Sequence, residues 1–403
     1  MILHSFHATG ERCDAFPAGL ECKSMTAADT VPVVLFLFNR AASLARVVDV
    51  LRCVRPQLVL AIADGPRPDH PEDVPRCIAA RAIVERLDGP CHVVRNFAEI
   101  NLGCDARITT GLAWAFEHVS EAIVLEDDIV PDPSFFPWCA QMLDRYRDEP
   151  QVMHVSGRNH LGRWTQSGDG HCLLRRASAW GWATWRRAWQ RNVAMPGTPD
   201  DIMRTAAASA IEPVVVDNFL MLQELATKFK SSAWDTDWEI KKALLGGLSV
   251  VPSVNLVANI GFGPASTHTR FAGDIGALTP VGSSPLGVEA ERCVEDGQLD
   301  RWLMLFELMA AYREPGLVWR LARSAHFAAA KHWSGDRRLR HHLAPFREPR
   351  ESLAALEHFC AAGAPAEPLS DLLDALRRAS SHDRPPPDAE ISHETSAARM
   401  ENG

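Results

Sequence analysis

AIVLEDD, residues 122–128, is an apolar run that ends in three consecutive carboxylates. Four other short apolar runs resemble it, with stretches of helical periodicity between them: VVLFLF at 33–38, LVLAIAD at 58–64, CHVVRN at 91–96 and VMHVSG at 152–157. Short apolar strands separated by helices are typical of a mostly parallel sheet covered on both faces, since parallel strands need crossover helices. The sequence therefore predicts a doubly wound α/β domain.

Polar residues follow four of these strands, at the point where each strand ends. They are Asn39 and Arg40, Asp64 and Gly65, Arg95 and Asn96, and the triplet Glu126 to Asp128. Ligands of doubly wound sheets bind outside the carboxyl ends of the strands. One edge of the predicted sheet is therefore expected to hold most of the chemistry.

The composition excludes several classes of protein. A net charge of -9, from 42 basic and 51 acidic residues, argues against a general nucleic-acid binder. The ten cysteines lack the close pairing of zinc sites, so we expect free thiols in a reducing, cytoplasmic compartment. Neither a secretory signal nor a spanning helix is expected, because no apolar run is long enough.

The acidic triplet is the most informative single feature. Adjacent carboxylates raise one another's pKa, and a divalent cation would offset their repulsion. Mg²⁺ and Mn²⁺ take oxygen ligands, often one or two carboxylates completed by substrate phosphates. We predict Asp128 as the direct ligand and place Asp127 near the ribose or a water on the metal. The alternative is an exposed acidic turn before the helix that follows Pro133.

Seven motifs occur in a fixed order, and together they carry a family resemblance. They are LFLFNR (35–40), ADGPR (63–67), NLGCDARITTGLAWAFE (101–117), VLEDDIVPDPSFF (124–136), WGWATWRRAW (180–189), WDTDW (234–238) and NLVANIGFGPASTHT (255–269). The chain resembles bacterial nucleotide-diphospho-sugar transferases of the GT-A fold, related to the family-two glycosyltransferases. It is also similar to the N-acetylglucosaminyltransferase I type, whose metal motif reads EDD. The resemblance spans about residues 33 to 270.

The resemblance implies roles for the polar residues at the sheet edge. Asn39, Arg40 and Asp64 would hold the base and ribose of the nucleotide, and Arg107 would reach the diphosphate. A turn residue before Gly65 is the alternative for Asp64, and a solvated surface arginine is the alternative for Arg107. Glu126, Asp127 and Asp128 match the metal motif, with Mn²⁺ or Mg²⁺ as the cofactor.

The WDTDW motif implies an acidic residue near the acceptor. Asp235 is the candidate general base and Asp237 is the other candidate, and the sequence does not choose between them. A carboxylate that takes the acceptor proton contributes typically 10²- to 10⁴-fold to the rate. The alternative is that Asp235 caps a helix predicted over residues 236–245.

Two further segments have both a binding and a packing interpretation. The loop GFGPASTHT (261–269) is suited to closing over a diphosphate, with His268 touching the metal or a phosphate oxygen, or merely solvated. Trp185 and Trp189 stand one helical turn apart, which indicates core packing. Trp180 or Trp182 is the candidate for stacking on an acceptor sugar.

The predicted function is a metal-dependent, inverting glycosyltransferase that moves a sugar from a nucleotide-diphosphate donor to a saccharide or lipid-linked acceptor in surface polysaccharide or glycoconjugate synthesis. A sugar nucleotidyltransferase is one alternative, but FNRAASLAR (38–46) lacks the glycine-rich loop it needs. A non-catalytic scaffold is the other. Its basic stretch at 331–350 would attach it to a membrane surface, and the same stretch allows an enzyme peripheral to the inner membrane.

The domain organisation follows from changes of pattern along the chain. Residues 1–30 are an N-terminal extension and 31–285 form the GT-A domain, with a nucleotide-binding half at 31–157 and an acceptor half at 158–285. A helical C-terminal region is predicted at 286–379, and a polar disordered tail at 380–403.

Overall fold

The structure is a computed structural model, and it describes residues 31–164, 170–194, 234–262, 275–283, 349–361 and 366–382. Ten strands lie in these ranges: β1 Val33–Leu37, β2 Leu58–Ala63, β3 His92–Phe97, β4 Glu121–Glu126, β5 Ile129–Pro131, β6 Val152–Ser156, β7 His171–Leu174, β8 Trp182–Trp185, β9 Leu248–Pro252 and β10 Val257–Asn259.

Helices connect the strands. They are α1 Ala41–Val54, α2 Asp73–Val84 with a 3₁₀ turn at Glu85–Leu87, α3 Cys104–His118, α4 Phe135–Arg145, α5 Arg186–Val193, α6 Trp234–Leu244, α7 Ile275–Leu278, α8 Pro349–Ala361 and α9 Ala366–His382.

Eight strands form one mixed sheet in the order β3-β2-β1-β4-β8-β6-β9-β7. The pairs β1–β2, β1–β4, β2–β3 and β6–β9 are parallel. All five residues of β1 are buried, as expected for a central strand with helices on both faces. The predicted α/β class with a mostly parallel sheet is confirmed, and the five predicted strands appear within one or two residues of their expected bounds.

The strand β8 is a feature that the sequence pattern did not predict. It runs antiparallel to both of its neighbours, β4 and β6, and all four of its residues are buried. Trp185 therefore ends a strand and is the N-cap residue of α5, the helix that carries Trp189. Both side chains are at most 5% exposed, so the predicted core packing is confirmed.

A two-stranded ribbon lies beside the main sheet at the acidic end of β4. In it β5 pairs antiparallel with β10, and Ile129 faces Asn259. The ribbon places the segment after β10 next to the acidic triplet, because the amide of Ile260 donates a hydrogen bond of 2.8 Å to the carbonyl oxygen of Asp128.

The described residues fall into two compact units. The first holds the sheet, the ribbon and α1–α6, and the second holds α7–α9. In the second unit α8 and α9 pack through buried leucines that include Leu356, Leu372 and Leu376. The boundary predicted at residue 285 and residues 286–348 of the predicted helical C-terminal region lie outside the described residues. Because α9 runs to His382, the first residues of the predicted tail are helical.

Two findings concern the expected environment of the chain. Cys53 in α1 is disulfide-bonded, so the prediction that every cysteine is a free thiol is wrong. Over the ranges that the structure describes, the helices are too short or too polar for any of them to cross a membrane.

Candidate active site

The carboxyl ends of β1 and β4 bring three predicted site residues together. The strands are parallel neighbours, so the residues that follow them meet at one edge of the sheet. The Phe38 amide donates a hydrogen bond of 3.0 Å to Asp127 Oδ2. Arg40 Nη1 donates to Asp128 Oδ2 and lies 3.7 Å from Asp127 Oδ1. The structure thus places Arg40, expected at the base and ribose, on the acidic pair.

Burial and mutual repulsion perturb the acidic triplet. The pKa of Glu126 is raised well above its usual range. Burial is the largest cause, and the charges of Asp128 and Asp127 come next. The same causes, burial and the charge of Asp128, raise the pKa of Asp127 to about 7, although Arg40 opposes the shift. The triplet is therefore not an exposed acidic turn, since Asp127 and Asp128 are both buried.

The raised pKa of Asp127 predicts a pH dependence of stability. Between its ordinary value of 3.8 and about 7, the folded protein holds a proton that the unfolded chain releases. The free energy of unfolding is therefore expected to fall as pH rises through this window and to level off above it. Urea unfolding at pH 5, 6, 7 and 8 measures the slope, which Asp127→Asn should reduce.

The matched control for this experiment is Asp144→Asn, because the Asp144 side chain is 82% exposed. It removes the same charge from the surface of α4 and should leave the slope as in the unmodified protein. Equal slopes for the unmodified protein and Asp127→Asn would contradict the perturbed titration of Asp127.

Gly261 allows the chain to pass close to Asp128. A Cβ at this position would lie 2.7 Å from Asp128 Cγ, which is closer than real Cβ atoms come. The Gly261 amide donates a hydrogen bond of 2.8 Å to Asn259 Oδ1, which holds the segment in place. The glycine predicted to begin a closing loop therefore forms one wall of the acidic site. Its expected partner His268 lies outside the described residues.

A network at the ends of β1 and β2 contains two residues to which the sequence gave no role. Asn39 Nδ2 donates a hydrogen bond of 2.7 Å to Asp73 Oδ1, and Arg67 Nε donates one of 2.6 Å to Asp73 Oδ2. The Arg67 guanidinium lies 5.6 Å from the centre of the Phe38 ring. Hydrogen bonds from Arg67 lower the pKa of the buried Asp73 to about 2. The sequence indicated this network only through Arg67, which lies in the ADGPR motif.

Asp64 organises the loop between β3 and α3. Its Oδ1 accepts hydrogen bonds from the amides of Gly65 and Leu102, and its Oδ2 accepts them from Gly103 N and Asn101 Nδ2, at 2.9 to 3.1 Å. These four bonds use the ordinary acceptor capacity of a carboxylate. They favour the structural interpretation of Asp64, and its contact with a nucleotide stays a prediction.

Arg107 lies between the ends of β2 and β3. Its Nε donates to the Ala63 carbonyl at 3.1 Å, and its Nη2 donates to the Asn96 carbonyl and, at 2.9 Å, to Asn96 Oδ1. The residue is 6% exposed, and burial lowers its pKa. The alternative of a solvated surface arginine is therefore wrong, and the diphosphate contact of Arg107 stays a prediction.

The two candidate bases differ in their surroundings. Asp237 is exposed and forms a salt bridge of 2.8 Å with Lys241 one helical turn away. Asp235 is half-buried, and burial raises its pKa, with further contributions from Glu239 and Asp105. The charge of Asp235 also raises the pKa of Glu126, so Asp235 lies within electrostatic reach of the triplet.

The helix that carries Asp235 begins two residues earlier than a cap at this position requires. Because α6 starts at Trp234, Asp235 lies in its first turn and accepts a hydrogen bond of 2.8 Å from Thr236 N. The Trp234 amide donates a 3.0 Å bond to Asp105 Oδ1, which ties the start of α6 to α3. The expectation of a helix over 236–245 with Asp235 as its cap is corrected accordingly.

A buried polar network fixes the rotation of α6. Lys242 Nζ donates to Glu239 Oε1 at 2.7 Å and to Ser249 Oγ on β9, and Trp238 Nε1 donates to His154 Nδ1 on β6 at 3.1 Å. Burial lowers the pKa of His154 well below its usual range, so this imidazole is neutral. The sequence did not indicate the network because its bond from Trp238 to His154 joins residues that are 84 positions apart.

The tryptophans of WGWATW have different surroundings. Trp182 is 1% exposed and its ring stacks on His154 with 4.9 Å between centroids, so the alternative that it stacks on a sugar is wrong. Trp180 is half-buried, and the guanidinium of Arg158 lies 4.2 Å from its centroid. The acceptor role of Trp180 stays a prediction.

Fold and site together define an α/β protein with a buried acidic cluster at the carboxyl edge of its sheet. No family model matches the chain, and no curated protein matches it. Among solved structures it is similar to the mannosyltransferase PcManGT from Pyrobaculum calidifontis in complex with GDP-Man and Mn²⁺, at 13% identity and a TM-score of 0.39, covering 91% of this chain and 92% of that one. A similarity of this degree carries no argument about activity.

Proposed function

We propose that the protein is a metal-dependent glycosyltransferase that moves a sugar from a nucleoside-diphosphate donor to an acceptor hydroxyl. The observation that carries the proposal is the pair Asp127 and Asp128, buried at the carboxyl edge of the sheet next to Glu126, which lies within electrostatic reach of Asp235. The pair Asp127 and Asp128 would provide the cation site, and Asp235 would provide the base.

The residues present fit a hard divalent cation. Over the described ranges, no three His, Cys, Asp or Glu side chains are grouped to hold a metal by themselves. Mg²⁺ and Mn²⁺ often use one or two carboxylates and take their remaining ligands from phosphates and water. Asp127 and Asp128 would supply two such carboxylates, with the backbone of Gly261 passing close to Asp128. Bound there, the metal would neutralise charge on the departing diphosphate.

The other residues would bind the donor and activate the acceptor. Asn39 and Asp64 would contact the nucleotide, and Arg40 and Arg107 would face the diphosphate. Asp235 would take the proton of the acceptor hydroxyl, because Asp237 is exposed and paired with Lys241. One base and one displacement imply inversion at the anomeric carbon. The acceptor would be a saccharide or a lipid-linked saccharide in surface polysaccharide or glycoconjugate synthesis.

The proposal predicts metal-dependent stabilisation by a nucleotide sugar. The melting temperature should rise with Mn²⁺ and one nucleoside-diphospho-sugar of a panel, and the rise should vanish with EDTA. A ligand at 100 times its dissociation constant stabilises the folded state by about 2.7 kcal/mol. Differential scanning fluorimetry measures the shift.

Product analysis separates transfer of the sugar from the alternative chemistry. With the stabilising donor and an acceptor, glycosyl transfer releases the nucleoside diphosphate, whereas a sugar nucleotidyltransferase releases pyrophosphate when it is given a nucleoside triphosphate and a sugar 1-phosphate. Release of pyrophosphate, or no stabilisation by any donor with Mn²⁺ or Mg²⁺, would refute the proposed function.

A further inference from the structure

Arg40 serves as the counter-cation of the acidic pair. Its Nη1 donates to Asp128 Oδ2 and lies 3.7 Å from Asp127 Oδ1. Burial lowers the pKa of Arg40, but the charges of Asp127 and Asp128 outweigh burial, and the net shift is upward. The guanidinium is thus held in place by the same two carboxylates that a metal would need.

The two carboxylates of this contact are held in place by backbone hydrogen bonds. Asp127 Oδ2 accepts a hydrogen bond from the Phe38 amide, and the carbonyl oxygen of Asp128 accepts one from the amide of Ile260. The two acidic side chains are 10% and 12% exposed, whereas the side chain of Arg40 is 24% exposed. The long side chain of Arg40 is therefore the member of the cluster that can move.

The backbone of Arg40 is anchored independently of its side chain. Its carbonyl oxygen accepts hydrogen bonds from Leu44 N at 3.0 Å and from Ser43 Oγ at 3.2 Å, at the start of α1. A movement of the guanidinium consequently needs only side-chain rotations and leaves the helix in place. The freed guanidinium would stay at the same edge of the sheet.

We propose that Arg40 is a displaceable cation that couples metal binding to diphosphate binding. A divalent ion on Asp128 repels the guanidinium and takes over its acceptor, so Arg40 must leave when the metal binds. A diphosphate then gives the guanidinium a new anionic partner, for which its planar set of donors is well suited. This inference rests on the proposed function, because it takes the acidic pair as the metal site.

Two consequences follow from linkage. The metal alone binds weakly because it must displace a bound cation, and the diphosphate binds better after the metal has released Arg40. Since such coupling is reciprocal, the diphosphate strengthens metal binding by the same factor. Removing the guanidinium should strengthen binding of the metal alone and reduce this coupling.

The test measures Mn²⁺ affinity by electron paramagnetic resonance of the free ion, with no nucleotide and with GDP or UDP. Arg40→Gln is expected to bind Mn²⁺ alone about tenfold more tightly than the unmodified protein, a coupling of ordinary size. The nucleotide should then strengthen Mn²⁺ binding less than it does in the unmodified protein. Arg40→Lys keeps the charge and should keep weak binding of Mn²⁺ alone.

Arg52→Gln is the matched control, since it removes the same charge from a side chain of α1 that is 48% exposed. Its Mn²⁺ affinity should equal that of the unmodified protein. If Arg40→Gln unfolds in EDTA because the acidic pair has lost its counter-cation, titration with Mn²⁺ should restore the fold, and Arg40→Lys still reports the affinity of the charged site.

The outcomes separate this inference from the function on which it rests. Unchanged or weaker binding of Mn²⁺ alone by Arg40→Gln would overturn the role of Arg40 and leave the enzyme assignment standing. No Mn²⁺ binding by the unmodified protein, even with a nucleoside diphosphate, would overturn the metal site itself.

Discussion

Asp128→Asn is expected to remove Mn²⁺ binding and to lower turnover about 10³-fold. A catalytic metal contributes several kcal/mol to stabilising the charge of a leaving group, and each 1.36 kcal/mol corresponds to a tenfold change in rate. Asparagine has the shape of aspartate and retains a carbonyl oxygen, but it removes the negative charge that the cation needs. The substitution weakens the contact of Asp128 with Arg40 but also relieves repulsion within the triplet, so the protein should keep its fold.

The measurement pairs a binding assay with steady-state kinetics. Mn²⁺ affinity is determined by titration, and kcat is determined with the donor identified by thermal stabilisation. Asp144→Asn again serves as the control, because it removes one exposed carboxylate from α4. Full turnover and full Mn²⁺ affinity in Asp128→Asn would show that the acidic pair holds no catalytic metal.

The parallel half of the sheet was predictable because local pattern determines it. In β1, β2 and β4 almost every residue is buried, so each appears in the sequence as an uninterrupted apolar run. The edge at which parallel strands end then follows from topology alone. This is why the neighbourhood of Asp127 and Asp128 was identified correctly from the sequence.

The antiparallel strand β8 was not predictable in the same way. Its sequence WATW mixes large aromatic and small residues, and it continues directly into α5. Its position between β4 and β6 depends on pairing across a sequence separation of about 60 residues, as in the register of Glu121 with Trp185. Local periodicity contains no information about such pairing.

The partners of the site residues were also beyond sequence reasoning. Arg40 was expected at the nucleotide base, yet the alignment of β1 with β4 places it on Asp128. Asp73 opens α2, where an acidic residue is explained by the helix dipole alone, and its contact with Asn39 spans 34 positions. Residue types identified the chemistry of the edge, but only the packing of elements determines which side chains meet.

Asp235→Asn is expected to lower kcat by 10² to 10⁴, the usual contribution of a general base. Asparagine retains an oxygen that accepts the Thr236 amide, so the first turn of α6 should keep its geometry. Mn²⁺ and donor affinities should be unchanged, because the substitution removes only the group that takes the acceptor proton. The effect should therefore appear in kcat at saturating donor and not in the dissociation constant of the donor.

Asp237→Asn is the matched comparison, two positions away on the same helix. Asp237 is exposed, and its pair with Lys241 is an i,i+4 surface salt bridge, which contributes only about 0.3–0.5 kcal/mol. Its loss should leave kcat nearly unchanged. If Asp237→Asn abolished turnover and Asp235→Asn did not, the general base would be Asp237 and not Asp235. The half-buried position of Asp235 would then explain its raised pKa without any part in catalysis.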